Sequence, residues 1–392
     1  MNAELPRDFQ GNPVTPGLPI AMLAEITHRC PLACPYCSNP LDLVRAQSEL
    51  AAGAWADVFR QAAALGVLQV HISGGEPASR RDLTQIAASA REAGLYVNLI
   101  TSGLGLTLAR LRELDAAGVD HVQLSLQGVG RDMADRIGGM TGAWDRKMQV
   151  AAWIGEVGFP LTLNAVVHRQ NMDSLPQMID LALAMGARRI EVATVQFHGW
   201  ADLNRRALMP SREQAAFARR VVNEAREALR GRMVIDYVPA DHHAQFPKAC
   251  MGGWGSTGLN VTPDGTVLPC HAAQTIPQLS FENVRDRALA DIWTNGAAFN
   301  AFRGTAWLPE PCASCDRKGL DFGGCRCQAM AIAGDAAATD PVCARSPLNA
   351  ALHARAEAGA APGGDELTYR RMGGADKKSL PTNKRLNGAP EI

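Results

Sequence analysis

The stretch Met22-Leu-Ala-Glu-Ile-Thr27-His-Arg-Cys30-Pro-Leu-Ala-Cys34-Pro-Tyr-Cys37 joins a short strand-forming run to three cysteines spaced C-x3-C-x2-C. Five more β-rich runs follow, at 68–73, 96–101, 121–126, 162–167 and 189–195. Longer Ala-rich segments with helical spacing lie between them, at 51–65, 83–93, 106–117 and 175–185. Gly66, Gly94, Gly118, Gly158 and Gly186 stand where helices end, and glycine tolerates the left-handed backbone that closes a helix. Strand, helix, glycine, six times over, predicts βα units on a parallel sheet. Six strands are too few for the closed eight-strand barrel. The α/β count predicts an open, partial (β/α)6 TIM-like barrel, and periodicity alone leaves a doubly wound sheet as the alternative. In either fold the loops at strand C-termini carry the chemistry, and the cysteine triplet directly follows the first strand.

The chain has 392 residues, 47% of them apolar and 20% charged, with 39 basic and 39 acidic side chains. Its length suggests two or three domains, each able to bury a core. The zero net charge gives no global attraction to nucleic acid or to an anionic membrane. No apolar run reaches membrane-spanning length, and the opening residues lack the pattern of a signal peptide. The expectation is a cytoplasmic protein with neither nucleic acid nor membrane as partner.

The texture changes after a charged helix at 211–230. From about 238 to 350 the chain is rich in Cys, Gly and Pro. A β-hairpin is expected across 261–267, around Asp264-Gly265. The expected organisation is an N-terminal extension (1–19), the partial barrel (20–235), a smaller metal-dependent domain (236–350) and a mobile tail (351–392).

Ten cysteines fall into two sets: Cys30, Cys34 and Cys37, then Cys250, Cys270, Cys312, Cys315, Cys325, Cys327 and Cys343. In a reducing compartment such clusters point to metal rather than disulfides. Thiolates suit iron–sulfur clusters or zinc. Three ligands on a four-iron cube leave one iron open to a reactant. Structural zinc with a distant fourth ligand is the alternative.

The triplet after the first strand of a βα repeat resembles the signature of radical S-adenosylmethionine (SAM) enzymes. That resemblance implies a 4Fe-4S cluster at Cys30, Cys34 and Cys37. It implies that the SAM amino and carboxylate groups chelate the open iron, and that one electron releases a 5′-deoxyadenosyl radical. Tyr36 then stands for the adenine contact. Ser73-Gly74-Gly75-Glu76-Pro77, after the second run, resembles the family's GGEP motif, with Gly74, Gly75 and Glu76 at the SAM ammonium. Ser102 ends the third run, and Ser125 and Gln127 end the fourth, where ribose contacts are expected. Arg136, expected in the following loop, is the candidate for the SAM carboxylate. Asn164 and His168 lie on or after the fifth run.

The later cysteines resemble the seven-cysteine SPASM domain, which implies two auxiliary iron–sulfur clusters. One departure stands out. Asp321 occupies a position where the family expects cysteine, and Cys327 is an additional thiol. The resemblance implies Cys312, Cys315, Cys343 and Asp321 as one ligand set, and Cys250, Cys270, Cys325 and Cys327 as the other. The close Cys325/Cys327 pair also suits a 2Fe-2S cluster.

The segments His28–Pro40, Val122–Gln127, Asn164–Asn171, Ala249–Gly255 and Leu268–Ala273 are similar to the radical SAM family of pyrroloquinoline quinone (PQQ) biosynthesis. This implies a carbon–carbon bond between a glutamate γ-carbon and a tyrosine ring in a precursor peptide, PqqA. The implied partners are a peptide chaperone, PqqD, and an external reductant. His198, His242, His243 and His271 are open candidates for the base. Other SPASM enzymes, sulfatase-maturing or thioether-forming, and a non-enzymatic metal scaffold stay open as alternatives.

Overall fold

A computed structural model describes residues 16–360 and 366–371. The expected extension is therefore described only from residue 16, and residues 361–365 and 372–392 of the expected tail lie outside the described residues.

All six expected strands form, each end within one residue of its expected place: β1 (Ala21–Thr27), β2 (Gln69–Gly74), β3 (Tyr96–Thr101), β4 (His121–Leu126), β5 (Leu161–Val167) and β6 (Arg189–Thr194). A seventh parallel strand, β7 (Val234–Val238), adds beyond β6. The expected hairpin also forms, as β8 (Gly258–Val261) and β9 (Val267–Leu268). β8 pairs in parallel with β1, so the hairpin extends the same sheet. The order is β7-β6-β5-β4-β3-β2-β1-β8-β9. Strands β1 to β7 follow one another without reversal, which excludes the doubly wound alternative. The sheet does not close, leaving a partial barrel.

Helices α1 (Ala52–Leu65), α2 (Leu83–Glu92), α3 (Leu108–Ala116), α4 (Arg131–Gly138), α5 (Ala143–Val157) and α6 (Leu175–Ala184) cover the sheet. Gly66, with φ 105°, closes α1. The apolar faces of the strands and helices form one core, including Trp55 stacked on Phe59 at 5.7 Å. Each such fully buried large side chain contributes about 1.5–3 kcal/mol. The barrel interior is instead polar: Asn98 bonds Gln123, and Gln123 and Asn164 both donate to Glu191. Asn164 thus belongs to this interior ladder.

The Cys-rich region has its own small core around Trp254, Leu268, Ile276 and Cys327. So few apolar residues favour a domain that leans on bound metal. Two parts of the expected tail, 351–360 and 366–371, are among the described residues. Helix Asn349–Ala360 packs Leu352 and Ala356 inward, and 366–371 lies against the cysteine triplet.

Candidate functional site

The loop after β1 carries the triplet into the interior. Cys34 is buried, and Cys30 and Cys37 are partly so. Burial raises the Cys30 and Cys34 thiols to about 12, with the Glu76 charge adding at Cys30 and the Cys30 charge adding at Cys34. Burial likewise raises Cys37. Three crowded, desolvated thiols resist ionisation unless a cation joins them, and a metal group reverses that balance.

The GGEP segment clamps this loop. Gly75 N–H donates to the Thr27 carbonyl at 2.6 Å, and Glu76 N–H to the Arg29 carbonyl at 2.7 Å. A Cβ on Gly75 would stand 2.4 Å from the Arg29 oxygen, so only glycine permits this approach. The Glu76 carboxylate is fully buried. It accepts from Ala78 N–H (2.9 Å), the Thr101 hydroxyl (2.7 Å), Ser102 N–H (2.6 Å) and the Ser102 hydroxyl. Four donors occupy its acceptor sites, so Glu76 ties the β2 loop to the β3 loop.

At the end of β4, Gln127 Nε2 donates to the Tyr36 hydroxyl (3.0 Å) and to Ser125 Oγ (3.1 Å). Tyr36 also lies 5.7 Å from the His168 ring. Burial, reinforced by Arg136, lowers His168 to about 3, so it is neutral. Its Nδ1 accepts from Gln170 N–H at 3.3 Å, which puts the ring proton on Nε2. That buried Nε2 has no hydrogen-bond partner. An orphan donor beside Tyr36, Gln127 and Ser125 fits a ligand rich in acceptors, as a nucleoside is. Arg136 is not in a loop as expected. It sits on α4, which the glycines at 128 and 130 obscure in the sequence, with its guanidinium on Met133 Sδ at 3.6 Å.

Two buried cations near the triplet escaped the sequence reading. Lys147 on α5 is 1% exposed and donates to the Ser102 carbonyl (2.7 Å) and the Ser125 carbonyl (2.5 Å). Burial lowers it to about 8, opposed by Cys34, Glu76 and Cys30. Its signal was present: Ala143, Lys147, Val150, Ala151 and Ile154 make the buried stripe of α5, with a charge in the apolar period. The other is Arg370, for which no local pattern exists.

The later cysteines lie in two groups. Cys250, Cys270, Cys327 and Cys325 form a ring in which each thiol bonds two others. His271 also bonds Cys270, and His198 bonds Cys325. A cavity of about 450 Å³ opens beside this ring, lined by His198, His242, His271, Asp241, Lys248 and Gln328 among others. A second, small gap is lined by Cys312, Cys315, Asp321 and Cys343. Asp321 is 7% exposed and is followed by Phe322 at φ 49°, Gly323 at φ 76° and Gly324 at φ 80°. This left-handed run turns the chain between Asp321 and Cys325. Among the described residues no three His, Cys, Asp or Glu side chains surround a single-ion position. Thiol-rich sets of this kind, grouped in fours, fit iron–sulfur groups.

Comparison with known proteins agrees with this geometry. Residues 24–182 match the Radical SAM superfamily, and residues 250–316 match an iron–sulfur cluster-binding domain, SPASM. The "PqqA peptide cyclase" of Rhizobium meliloti is 62% identical over 90% of this chain and 94% of its own length. That of Ruegeria pomeroyi is 64% identical over 90% and 95%. The chain belongs to the PqqA peptide cyclase family. Members of this family are radical SAM enzymes, so SAM and iron–sulfur groups are its cofactors. Among solved structures, Streptococcus suis SuiB bound to S-adenosylmethionine has a TM-score of 0.69 at 20% identity, over 84% of this chain and 77% of that one. For anSMEcpe with bound AdoMet the TM-score is 0.57 at 14% identity, over 87% and 95%. These two share the fold. No helix among the described residues is long and apolar enough to cross a membrane.

Proposed function

We propose that this protein cyclises the precursor peptide PqqA in PQQ biosynthesis, joining a glutamate γ-carbon to a tyrosine ring carbon. The observation that carries the reading is the three-cysteine loop clamped by Gly75 and Glu76, in a chain 62% identical to a PqqA peptide cyclase. Cys30, Cys34 and Cys37 would hold a four-iron cluster, which with SAM would supply the radical chemistry for removing a hydrogen atom from the peptide.

The chain's own residues hold and enclose the reactants. Tyr36, Gln127 and Ser125 orient the adenosine, with the His168 N–H as a further donor. Gly74, Gly75, Glu76 and Ser102 shape the place of the SAM ammonium, and Arg136 reaches the carboxylate from α4. The cavity of about 450 Å³ at the end of β6 admits the two reacting side chains.

The second domain, 236–350, carries two auxiliary clusters, on Cys250, Cys270, Cys325 and Cys327 and on Cys312, Cys315, Cys343 and Asp321. Both are four-iron, or the first is two-iron. PqqD presents the peptide, an external reductant supplies electrons, and the reaction takes place in the cytoplasm.

Anaerobic incubation with SAM, dithionite, PqqA and PqqD tests the reading. The product peptide should be lighter by two hydrogen atoms, with fragmentation placing the link between Glu and Tyr. An unmodified peptide from cluster-loaded enzyme would refute it.

A further inference from the structure

Residues 366–371 return from the end of the chain to the loop bearing the cysteine triplet. Arg370 N–H donates to the Ala33 carbonyl at 3.0 Å. Thr368 N–H donates to Asn204 Oδ1 at 2.7 Å, and Asn204 Nδ2 donates back to the Thr368 carbonyl at 2.8 Å. The same Asn204 amide reaches the Pro35 carbonyl, inside the triplet, at 3.0 Å. The Tyr369 hydroxyl donates to the Arg136 carbonyl at 2.9 Å, and its ring lies over Gly139, where a Cβ would come within 3.0 Å. Leu367 packs on the apolar group that includes Phe197, Leu208 and Tyr36.

Arg370 itself is only 5% exposed, and its guanidinium donates to the His28 carbonyl. Burying a guanidinium is costly without compensating acceptors or negative charge. His28 lies two residues before Cys30 and Ala33 one before Cys34, so the backbone and the guanidinium of Arg370 both hold the loop that bears the triplet. Lys147 on α5 is a second buried cation in this region, held on the Ser102 and Ser125 carbonyls.

We propose that residues 366–371 form a strap over the three-cysteine loop, and that Arg370 is a positioning residue that fixes the His28–Cys37 turn and places a buried positive charge beside the iron–sulfur group bound there. This rests on the reading of Cys30, Cys34 and Cys37 as its ligands. A four-iron group on three thiolates gains negative charge on reduction, and a nearby buried cation favours the reduced form.

Two measurements on the full-length, anaerobically loaded protein test the proposal. The first is hydrogen exchange at Thr368 and Arg370. Slow exchange is expected for both amides, and exchange at the rate of free peptide would overturn the strap. The second is an EPR-monitored redox titration of the SAM-responsive cluster in wild type, Arg370→Gln and Arg370→Lys. In Arg370→Gln the reduced-to-oxidised ratio at a fixed potential should fall about tenfold, a shift of about 59 mV for one electron. Arg370→Lys should recover most of it, and the auxiliary signals should not move. Selective loss of the SAM-responsive signal in Arg370→Gln, with auxiliary signals intact, supports the same role. Titration of Arg370→Gln indistinguishable from wild type overturns it. A wild-type protein without any SAM-responsive signal would instead remove the ligand assignment itself, so the two failures are told apart.

Discussion

Glu76 accepts the backbone N–H of Ser102 at 2.6 Å, and this bond ties the loop after β2 to the loop after β3. Glu76→Gln replaces one acceptor oxygen with a donor among four donors. The variant should lose about 1–3 kcal/mol of stability and bind SAM more weakly. Denaturant unfolding and SAM titration check this, and a variant matching wild type in both contradicts it.

Gly75→Ala should act on the triplet from a distance in sequence. The added methyl would meet the Arg29 oxygen at 2.4 Å and the His28 carbonyl carbon at 2.7 Å. Backbone cannot yield cheaply there, so the clamp opens at a cost of about 1–3 kcal/mol. Iron retention at the first site should fall. Gly53→Ala is the control: it lies in α1 with nothing within 4 Å of the new methyl. It should stabilise by about 0.5–1 kcal/mol. Unfolding midpoints that move in the same direction for both would defeat the argument.

Much of this site was legible before any coordinates. Polar and cysteine residues directly after β-rich runs land at strand C-termini, which is why the places of Cys30, Gly75, Ser102 and Gln127 were legible, while the SAM contacts expected of the last three rest on the family resemblance. What escaped depends on long-range packing. β7, and the pairing of the expected hairpin's β8 with β1, extend a sheet whose core strands were already counted. Arg136 was expected in the loop after the fourth run and lies on α4 instead. Arg370 lies in a charged, glycine-rich tail whose docking no periodicity encodes.

Lys147 offers a sharper test of the region beneath the site. Lys147→Met keeps the volume near the original but leaves the Ser102 and Ser125 carbonyls without their donor. The KM for SAM should rise several-fold while the spectra of the auxiliary clusters stay as in wild type. Loss of auxiliary signals together with SAM binding would show a general folding defect instead.

Acid should weaken the fold through buried neutral histidines. Burial, with Arg205 adding, lowers His242 to about 3, and His168 is lowered to about 3 as well. An unfolded histidine titrates near pH ~6.5. The folded values are the lower ones, so between them the unfolded chain binds more protons. Their contribution is complete above that pH and is lost as pH falls toward the folded values, at up to about 1.4 kcal/mol per pH unit for each. His242→Gln should therefore show a shallower fall in urea stability between about pH 6.5 and about pH 5. Parallel curves for variant and wild type would contradict the assignment.

Asp321 is expected to ligate through oxygen. Asp321→Ala should change the EPR signal of one auxiliary cluster only, and Asp321→Cys should restore a four-iron signal at a shifted potential. An unchanged signal in Asp321→Ala would make this buried acid structural.

The central claim is that the triplet drives radical chemistry on a peptide. The most direct measurement is the amount of 5′-deoxyadenosine formed per cross-linked peptide under anaerobic single-turnover conditions, in wild type and Cys34→Ala. The account predicts equal amounts of both products from wild type and neither from Cys34→Ala. Cross-linked peptide without deoxyadenosine, or deoxyadenosine from Cys34→Ala at the wild-type level, would contradict it.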